Sequence, residues 1–417
     1  MKIGILSIGD ELLLGAVQDS NTHHIARILF KEGMKPCSFR TCSDLEIEKT
    51  LREMLQECQI VITSGGLGPT HDDLTAASVA KVIGVEMKEN EEVMRDLMYR
   101  FPNQMDEVEA MSRIPHTAEP LMNFLGSAPG FFVFDRSGRT VISFPGVPYE
   151  LEAMAEEYLP YVIQKIRKDA IEGIYSRTMH FCHAKEDQIA PIVSILGLTF
   201  PEFVFGIYPK IGSVSVSFQA RAADAATFLS LTEEIVQILY EKFPTLVFPS
   251  KSGSVVEAVL DELRTRKETL ALAESCTGGD MAASLTKLSG ASEVLRMAVV
   301  AYSNESKHKI LGVSDKTLKT RGAVSQEVVI EMIEGAFALS DADYAVAVSG
   351  IAGPNGGSLE TPVGTVWKKI TKRSEKIKTG LIPHKSTMRR DVIIHRSTNY
   401  LYGALWRYLA YEICPFT

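Results

Sequence analysis

Apolar positions along the chain follow two rhythms, and their alternation is the first structural signal. Residues 2–8 and 60–63 are short, mostly apolar runs that read as buried strands, whereas 20–31 and 47–58 carry apolar residues at helical spacing. Strand–helix alternation of this kind predicts a parallel sheet covered on both faces, with ligands bound at the carboxyl ends of its strands. Gly-rich stretches fall at two such ends, after the first strand and after Thr63. Residues 133–134 and 140–144 flank Asp135-Arg136-Ser137-Gly138 and predict a hairpin, followed by a helix over 149–168. Strands over 176–182, 203–208 and 213–220 predict a small α+β module, and the polar run 248–254 reads as a linker. The remainder is again α/β, with strands over 269–273, 297–302, 345–349 and 364–371. Helices are expected over 254–266, 278–288 and 389–411, the first with Ser254 and Glu257 at capping-box spacing. The predicted domains are therefore 1–165, 170–250 and 251–417: two α/β domains separated by a small α+β module.

Composition narrows this picture only slightly. A chain of 417 residues is too long for one ordinary domain of ~100–200. Its 45% hydrophobic and 23% charged residues suit packed soluble cores. A net charge of −8 gives no electrostatic footprint for nucleic acid, so no such partner is expected. Cys37, Cys42, Cys58, Cys182, Cys276 and Cys414 form no C-x-x-C pair, which argues against a disulfide framework or zinc site. Alternation sends Cys182 and His183 to opposite faces, so His180, Cys182 and His183 read as ordinary strand residues. The first nine residues look like a strand rather than a signal peptide, and no apolar run approaches ~18 residues. A cytoplasmic protein without membrane contact is the expectation.

Candidate chemistry clusters at strand ends. Ala273-Glu274-Ser275-Cys276-Thr277-Gly278-Gly279 sets a hydroxyl on a turn and opens a helix on two glycines. Free N–H groups of that helix would face the space beside Ser275, to stabilise an oxyanion or hold a phosphate. The alternative is that Ser275 and Thr277 only cap the helix. Tyr302-Ser303-Asn304-Glu305-Ser306-Lys307 follows another apolar strand. A lysine with a lowered pKa can activate a serine, and a nearby tyrosine hydroxyl can relay a proton or orient it. The alternative is a solvated surface lysine. Ser349-Gly350-Ile351-Ala352-Gly353-Pro354-Asn355-Gly356-Gly357 is dense in glycine, as a backbone approaching a ligand requires, or as a plain flexible loop allows. In the first part, Gly65, Gly66 and Gly68 can cradle a phosphate or pterin, and Asp44, Asp72 and Asp73 can hold a divalent cation. Alternatively Asp72 or Asp73 caps the helix after Leu74.

Taken together, A-E-S-C-T-G-G, Y-S-N-E-x-K, G-A-V-S, S-G-I-A-G-P-x-G-G and P-V-G-T-V-W, in this order, resemble the C-terminal domain of the CinA family. The resemblance implies an amidohydrolase of pyridine-nucleotide salvage. It would deamidate nicotinamide mononucleotide to nicotinic acid mononucleotide and ammonia without a cofactor. Ser275 maps onto the nucleophile and Lys307 onto the base, with Tyr302 beside them. Cys276, Thr277, Gly278, Gly279, Asn304, Ser325, Ser349, Gly350 and Gly353 map onto the substrate contacts. Family members commonly open the terminal helix with a Gly-Asp-Arg-like element and add an arginine in the next turn. Ser386-Thr387-Met388-Arg389-Arg390-Asp391 and Ile394 stand there instead, leaving Arg390 and Arg396 as phosphate partners.

Through G-G-L-G-P-T-x-D-D-L-T, residues 1–165 resemble the molybdopterin-binding fold in its CinA-type version. That implies nucleotide binding at Gly65, Gly66, Gly68 and Thr70. It also implies an alternative or additional activity, a metal-dependent ADP-ribose pyrophosphatase with Asp44, Asp72 and Asp73 as ligands. A non-enzymatic, competence-linked interaction role is a third reading. Small-molecule nucleotides are the expected partners. A homodimer is expected from the family, with the apolar stretch 399–411 as one interface.

Overall fold

The computed structural model describes residues 1–166, 173–373, 375, 379–382 and 387–413, so Lys168, Ser386 and Cys414 lie outside the described residues. The chain divides into two compact units, residues 1–175 with 220–229, and residues 176–219 with 230–417.

The first unit is built on a six-stranded sheet in the order Ser38–Cys42, Ile3–Ile8, Ile60–Ser64, Thr140–Phe144, Gly130–Phe134, Glu119–Leu121. The first four strands are parallel, and the last two run antiparallel. The sheet is therefore mixed, because the hairpin around Gly138 reverses the chain where a helical crossover would have kept it parallel. Successive residues of one strand feed opposite cores. Ile3 and Ile5 pack with Ile25, Leu29, Leu151 and Leu159. Leu6 and Ile8 pack with Ile47, Leu51, Met54 and Val79. Both faces being covered, the strand is buried at every position, and its one hydroxyl, that of Ser7, is paired with Asp19 and Thr22.

The second unit contains two sheets. The smaller runs Val204–Lys210, Ser213–Ala222, Gly173–Cys182, Val247–Phe248, with residues 173–175 and 220–222 at two strand ends belonging to the first unit. The larger runs Leu295–Val300, Leu270–Glu274, Tyr344–Gly350, Val366–Lys372, Gly380–Ile382, its first three strands parallel and the rest antiparallel. On one face Leu270, Leu272, Val346 and Val348 pack against the helices Val255–Arg266 and Arg390–Tyr411. On the other, Ala271, Ala273, Ala345 and Ala347 let the helix Gln326–Leu339 approach closely. Trp406 Nε1 donates to the Val247 carbonyl and Asn399 to the Ile211 carbonyl, tying the two sheets together.

Three expectations need correction here. The run 248–254 is no slack linker, because the Glu257 carboxylate accepts from the N–H groups of Lys251 and Ser252 and from the hydroxyls of Ser250 and Ser252. For the same reason the capping box does not close. Ser254 caps the helix by accepting from Val256 N–H, while its own N–H goes to Ser250 and Ser252. The apolar face of 399–411 is not spare: Leu401, Tyr402, Leu405 and Leu409 are buried in this chain's own core. Among the described residues no helix is long and apolar enough to cross a membrane.

Candidate active site

The strand Leu270–Glu274 is buried at every position and delivers Ser275 to the carboxyl edge of the larger sheet. Glu274 is wholly inaccessible, yet its carboxylate is satisfied by the N–H groups of Gly279 (3.1 Å), Met281 (3.2 Å) and Ala282 (2.9 Å). Gly278 and Gly279 have φ of 63° and 95°, in the left-handed region open to glycine, so the helix begins only at Asp280 and spans Asp280–Thr286. Gly278 N–H bonds to the Ser275 carbonyl and Asp280 N–H to that of Thr277. The first-turn donors expected to face the site are thus consumed within the turn. Among the described residues, the N–H groups of Cys276 and Thr277 remain without an acceptor inside it.

Lys307 arrives on a helix rather than a loop. Ser303 Oγ accepts from Ser306 N–H at 3.0 Å while Ser306 Oγ accepts from Ser303 N–H at 3.0 Å, a reciprocal cap that fixes the start of Asn304–Leu311. One turn in, the Lys307 side chain points inward and is 1% exposed. Its Nζ donates to Ser275 Oγ at 2.8 Å and to the Ala301 carbonyl at 2.8 Å, with the Tyr302 carbonyl at 3.5 Å. Burial pushes the ammonium below the ordinary lysine value, a shift that neighbouring Cys276 opposes. The same burial pushes the Cys276 thiol up to about 12, which keeps it neutral near pH 7 and a poor nucleophile.

Around this pair lies a cavity of about 210 Å³, walled by Cys276, Ala323, Val324, the 349–353 segment and Arg390. Ser349 Oγ donates to the Ala323 carbonyl at 2.7 Å and ties two walls together. At Gly350 a Cβ would meet the Thr365 carbonyl oxygen at 2.8 Å, so only glycine fits. Arg390 donates to the Gly353 carbonyl at 2.8 Å and to the Tyr302 hydroxyl at 2.5 Å. The Tyr302 hydroxyl therefore faces Arg390, and Tyr302 meets Lys307 only through its main-chain carbonyl.

Several expected contacts lie off the cavity wall. Thr277 is buried, with its hydroxyl unpartnered among the described residues. Gly278 and Gly279 shape the turn behind the wall, and Asn304 is the exposed first residue of its helix. Ser325 caps Gln326–Leu339 by accepting from Val328 N–H. Arg396 meets the Met388 sulfur at 3.7 Å. Of the G-A-V-S block, Ala323 and Val324 line the cavity. Glu274 contributes without having been singled out, its signal an acid closing an apolar strand.

In the first unit, the glycine-rich loop packs on its own chain. A Cβ at Gly66 would meet Thr75 Oγ1 at 2.4 Å and one at Gly68 would meet Asp73 Oδ2 at 2.6 Å. Gly66, Gly68 and Asp73 border a cavity of about 90 Å³, which Gly65 and Thr70 do not line. The three aspartates do not form a ligand set. Asp73 is closed onto Thr70 N–H (2.9 Å) and Oγ1 (2.6 Å), and Asp72 is exposed beside His71. Burial and neighbouring Asp10 raise the Asp44 pKa. Neither Asp72 nor Asp73 caps the helix Thr75–Ile83, whose N-cap is Leu74. Among the described residues no group of three or more His, Cys, Asp or Glu is set to hold a metal ion. His180 bonds Ser215, and His183 follows its strand, stacked on Tyr400.

Fold and cavity define a class: a molybdopterin-binding-like α/β domain joined in one chain to an α/β domain that buries a serine–lysine pair at its sheet edge. The family model described as the CinA C-terminal domain matches residues 253–409, and that described as a probable molybdopterin binding domain matches 4–165. A CinA-like protein of Prochlorococcus marinus (strain MIT 9301) is 34% identical over 411 residues, covering 97% of this chain and 96% of its own. Another, of Gemmatimonas aurantiaca, is 34% identical over 378 residues, covering 89% of this chain and 88% of its own. Among solved structures, the competence/damage inducible protein CihA from Agrobacterium tumefaciens is 34% identical, with a TM-score of 0.35, covering 37% of this chain and 93% of its own. The chain belongs to the CinA family.

Proposed function

We propose that the C-terminal part of the chain is an amidohydrolase that converts nicotinamide mononucleotide to nicotinic acid mononucleotide and ammonia. The observation that carries this reading is the 2.8 Å separation of Lys307 Nζ from Ser275 Oγ inside a cavity. A buried lysine without a carboxylate partner among the described residues favours its neutral form, which is the form a base needs. Donation to the Ala301 carbonyl leaves the lone pair of the neutral amine for the Ser275 proton.

Ser275 Oγ attacks the carboxamide carbon as Lys307 takes its proton. The Cys276 N–H group, without an acceptor inside the turn among the described residues and carried by a cavity-wall residue, suits the charge that gathers on the carboxamide oxygen. Collapse breaks the C–N bond, and Lys307 returns the proton to the departing nitrogen. Water then adds to the acyl-serine, yielding its proton to Lys307, and the carboxylate product leaves as Ser275 is reprotonated. Arg390, a cation on the cavity wall, suits the substrate phosphate. Ser275→Ala tests the reading: ammonia release from nicotinamide mononucleotide should vanish, and turnover at the wild-type rate would refute it.

A further inference from the structure

Two cysteines of the first unit, distant in sequence, meet at its six-stranded sheet. Cys37 precedes the strand Ser38–Cys42, and Cys58 links the helix Ile47–Glu57 to the strand Ile60–Ser64. The strand Ile3–Ile8 runs between those two strands, so the cysteines approach from either side of it. Cys37 N–H bonds to the Ile3 carbonyl at 2.8 Å, and Gln59 N–H to the Lys2 carbonyl at 2.9 Å. Gly4 makes room for the meeting. A Cβ there would lie 3.1 Å from Cys58 Sγ and 2.5 Å from Met54 Cε, so a larger residue would displace the Cys58 side chain. With glycine in place, the Cys37 and Cys58 sulfurs lie 3.8 Å apart.

The two thiols differ in what can reach them. Cys37 is exposed, whereas Cys58 is buried, as are Cys42, Cys182 and Cys276. Burial, with Cys37 beside it, pushes the Cys58 thiol up to about 11, so it stays neutral near pH 7. A hydroperoxide reacts with an accessible thiolate, so among the described residues Cys37 is the sulfur it meets first. We propose that Cys37 and Cys58 form a peroxide-responsive modification site that closes into a reversible disulfide. The Cys37 thiolate attacks the peroxide and breaks its O–O bond. Sulfur keeps one oxygen as a sulfenic acid, and the other leaves as water after taking up a proton. The Cys58 sulfur then attacks the Cys37 sulfur, the S–O bond breaks, and hydroxide departs with the Cys58 proton as a second water. Two thiols thereby lose two electrons, and one hydroperoxide gains them. A disulfide bond of about 2.05 Å requires the sulfurs to close by ~1.8 Å. Both residues lie outside helix and strand, and the exposed Cys37 side chain is the one able to make that move. The closed bridge fixes both ends of segment 38–57, which carries Asp44 to the glycine-rich loop, where its Oδ1 lies 3.4 Å from a Cβ placed on Gly66.

Peptide mapping by mass spectrometry tests this on the full chain, whatever the serine cavity does. The reduced protein is exposed to hydrogen peroxide, its remaining thiols are alkylated, and it is digested without reductant. A peptide pair joined through Cys37 and Cys58 should appear, and dithiothreitol should abolish it. Two variants separate the roles of the thiols, with circular dichroism verifying that each is folded. Cys58→Ser should leave a sulfenic acid on Cys37 that dimedone traps. Cys37→Ser should give neither a bridge nor a dimedone adduct at Cys58. Over-oxidation of Cys37 to the sulfinic acid while Cys58 stays a free thiol overturns the proposal. So does a bridge from either residue to another cysteine, or a dimedone adduct at Cys58 in folded Cys37→Ser protein.

Discussion

Glu274 is the residue whose removal should do most damage without touching the reacting atoms. Its carboxylate anchors Gly279, Met281 and Ala282, and through them the turn that carries Ser275. A hydrogen bond to a charged group is worth about 1.5–3 kcal/mol net, and three sharing one carboxylate are not additive. Leaving these three N–H groups without an acceptor costs about 3–5 kcal/mol, a large share of a domain's stability of about 5–15 kcal/mol. Glu274→Ala should therefore lower the unfolding free energy of the second unit by that amount, read as a lower urea midpoint at unchanged slope. Glu274→Gln should cost about half, because one of the two acceptor oxygens becomes an NH2 group facing an N–H donor. Displacement of the turn should also reduce kcat by about 100-fold while KM changes little, since ground-state contacts at Arg390 persist. Urea unfolding followed by circular dichroism, together with ammonia-release kinetics on both variants, gives the two readouts. A Glu274→Ala protein with the wild-type midpoint and kcat would refute the reasoning.

Other consequences follow from the same geometry. Lys307→Met should lower kcat by about 10²–10⁴-fold. It should not lower the thermal midpoint at neutral pH. A lysine whose pKa is depressed by folding binds fewer protons folded than unfolded, so its penalty is full below the folded pKa and fades as pH rises toward 10.5. A fall of several degrees on differential scanning calorimetry would argue against this. Arg390→Ala should raise KM for nicotinamide mononucleotide by about 10–100-fold, the loss of about 1.5–3 kcal/mol from a charge-assisted contact. Its effect on the riboside, which lacks the phosphate, should be small, and equal effects on both would remove the phosphate role. Cys276→Ser should retain most turnover, because the thiol it replaces is neutral at working pH. Loss of activity in a folded Cys276→Ser protein would reopen the choice of nucleophile.

Much of the fold was legible wherever both faces of an element are buried. Residues 3–8 and 60–64 are buried throughout because the strands are sandwiched, and their mostly apolar pattern has one reading. Legibility fails where a side chain inside one element satisfies the backbone of another. Glu274 looks like a strand-ending surface acid, yet three donors fold over it and hide it completely. Glu257 sits at capping-box spacing from Ser254, but the loop before the helix reaches its carboxylate first. Gly278 and Gly279 resemble a helix start, and only their positive φ reveals that the helix begins later. Tyr302 is near Lys307 in sequence, but an arginine 88 positions away claims its hydroxyl. The five sequence blocks point to the serine and the lysine together, while the hydrogen bond between them depends on how the helix Asn304–Leu311 is aimed.

The pH dependence of kcat/KM for nicotinamide mononucleotide deamidation probes the serine–lysine pair most directly. The base must be neutral to take the Ser275 proton, so the rate should rise with pH through a single ionisation lying below the 10.5 of an ordinary lysine, and that ionisation should disappear in Lys307→Met. A profile that is level across that range, or one whose ascending limb persists unchanged in Lys307→Met, would contradict the assignment of Lys307 as the base.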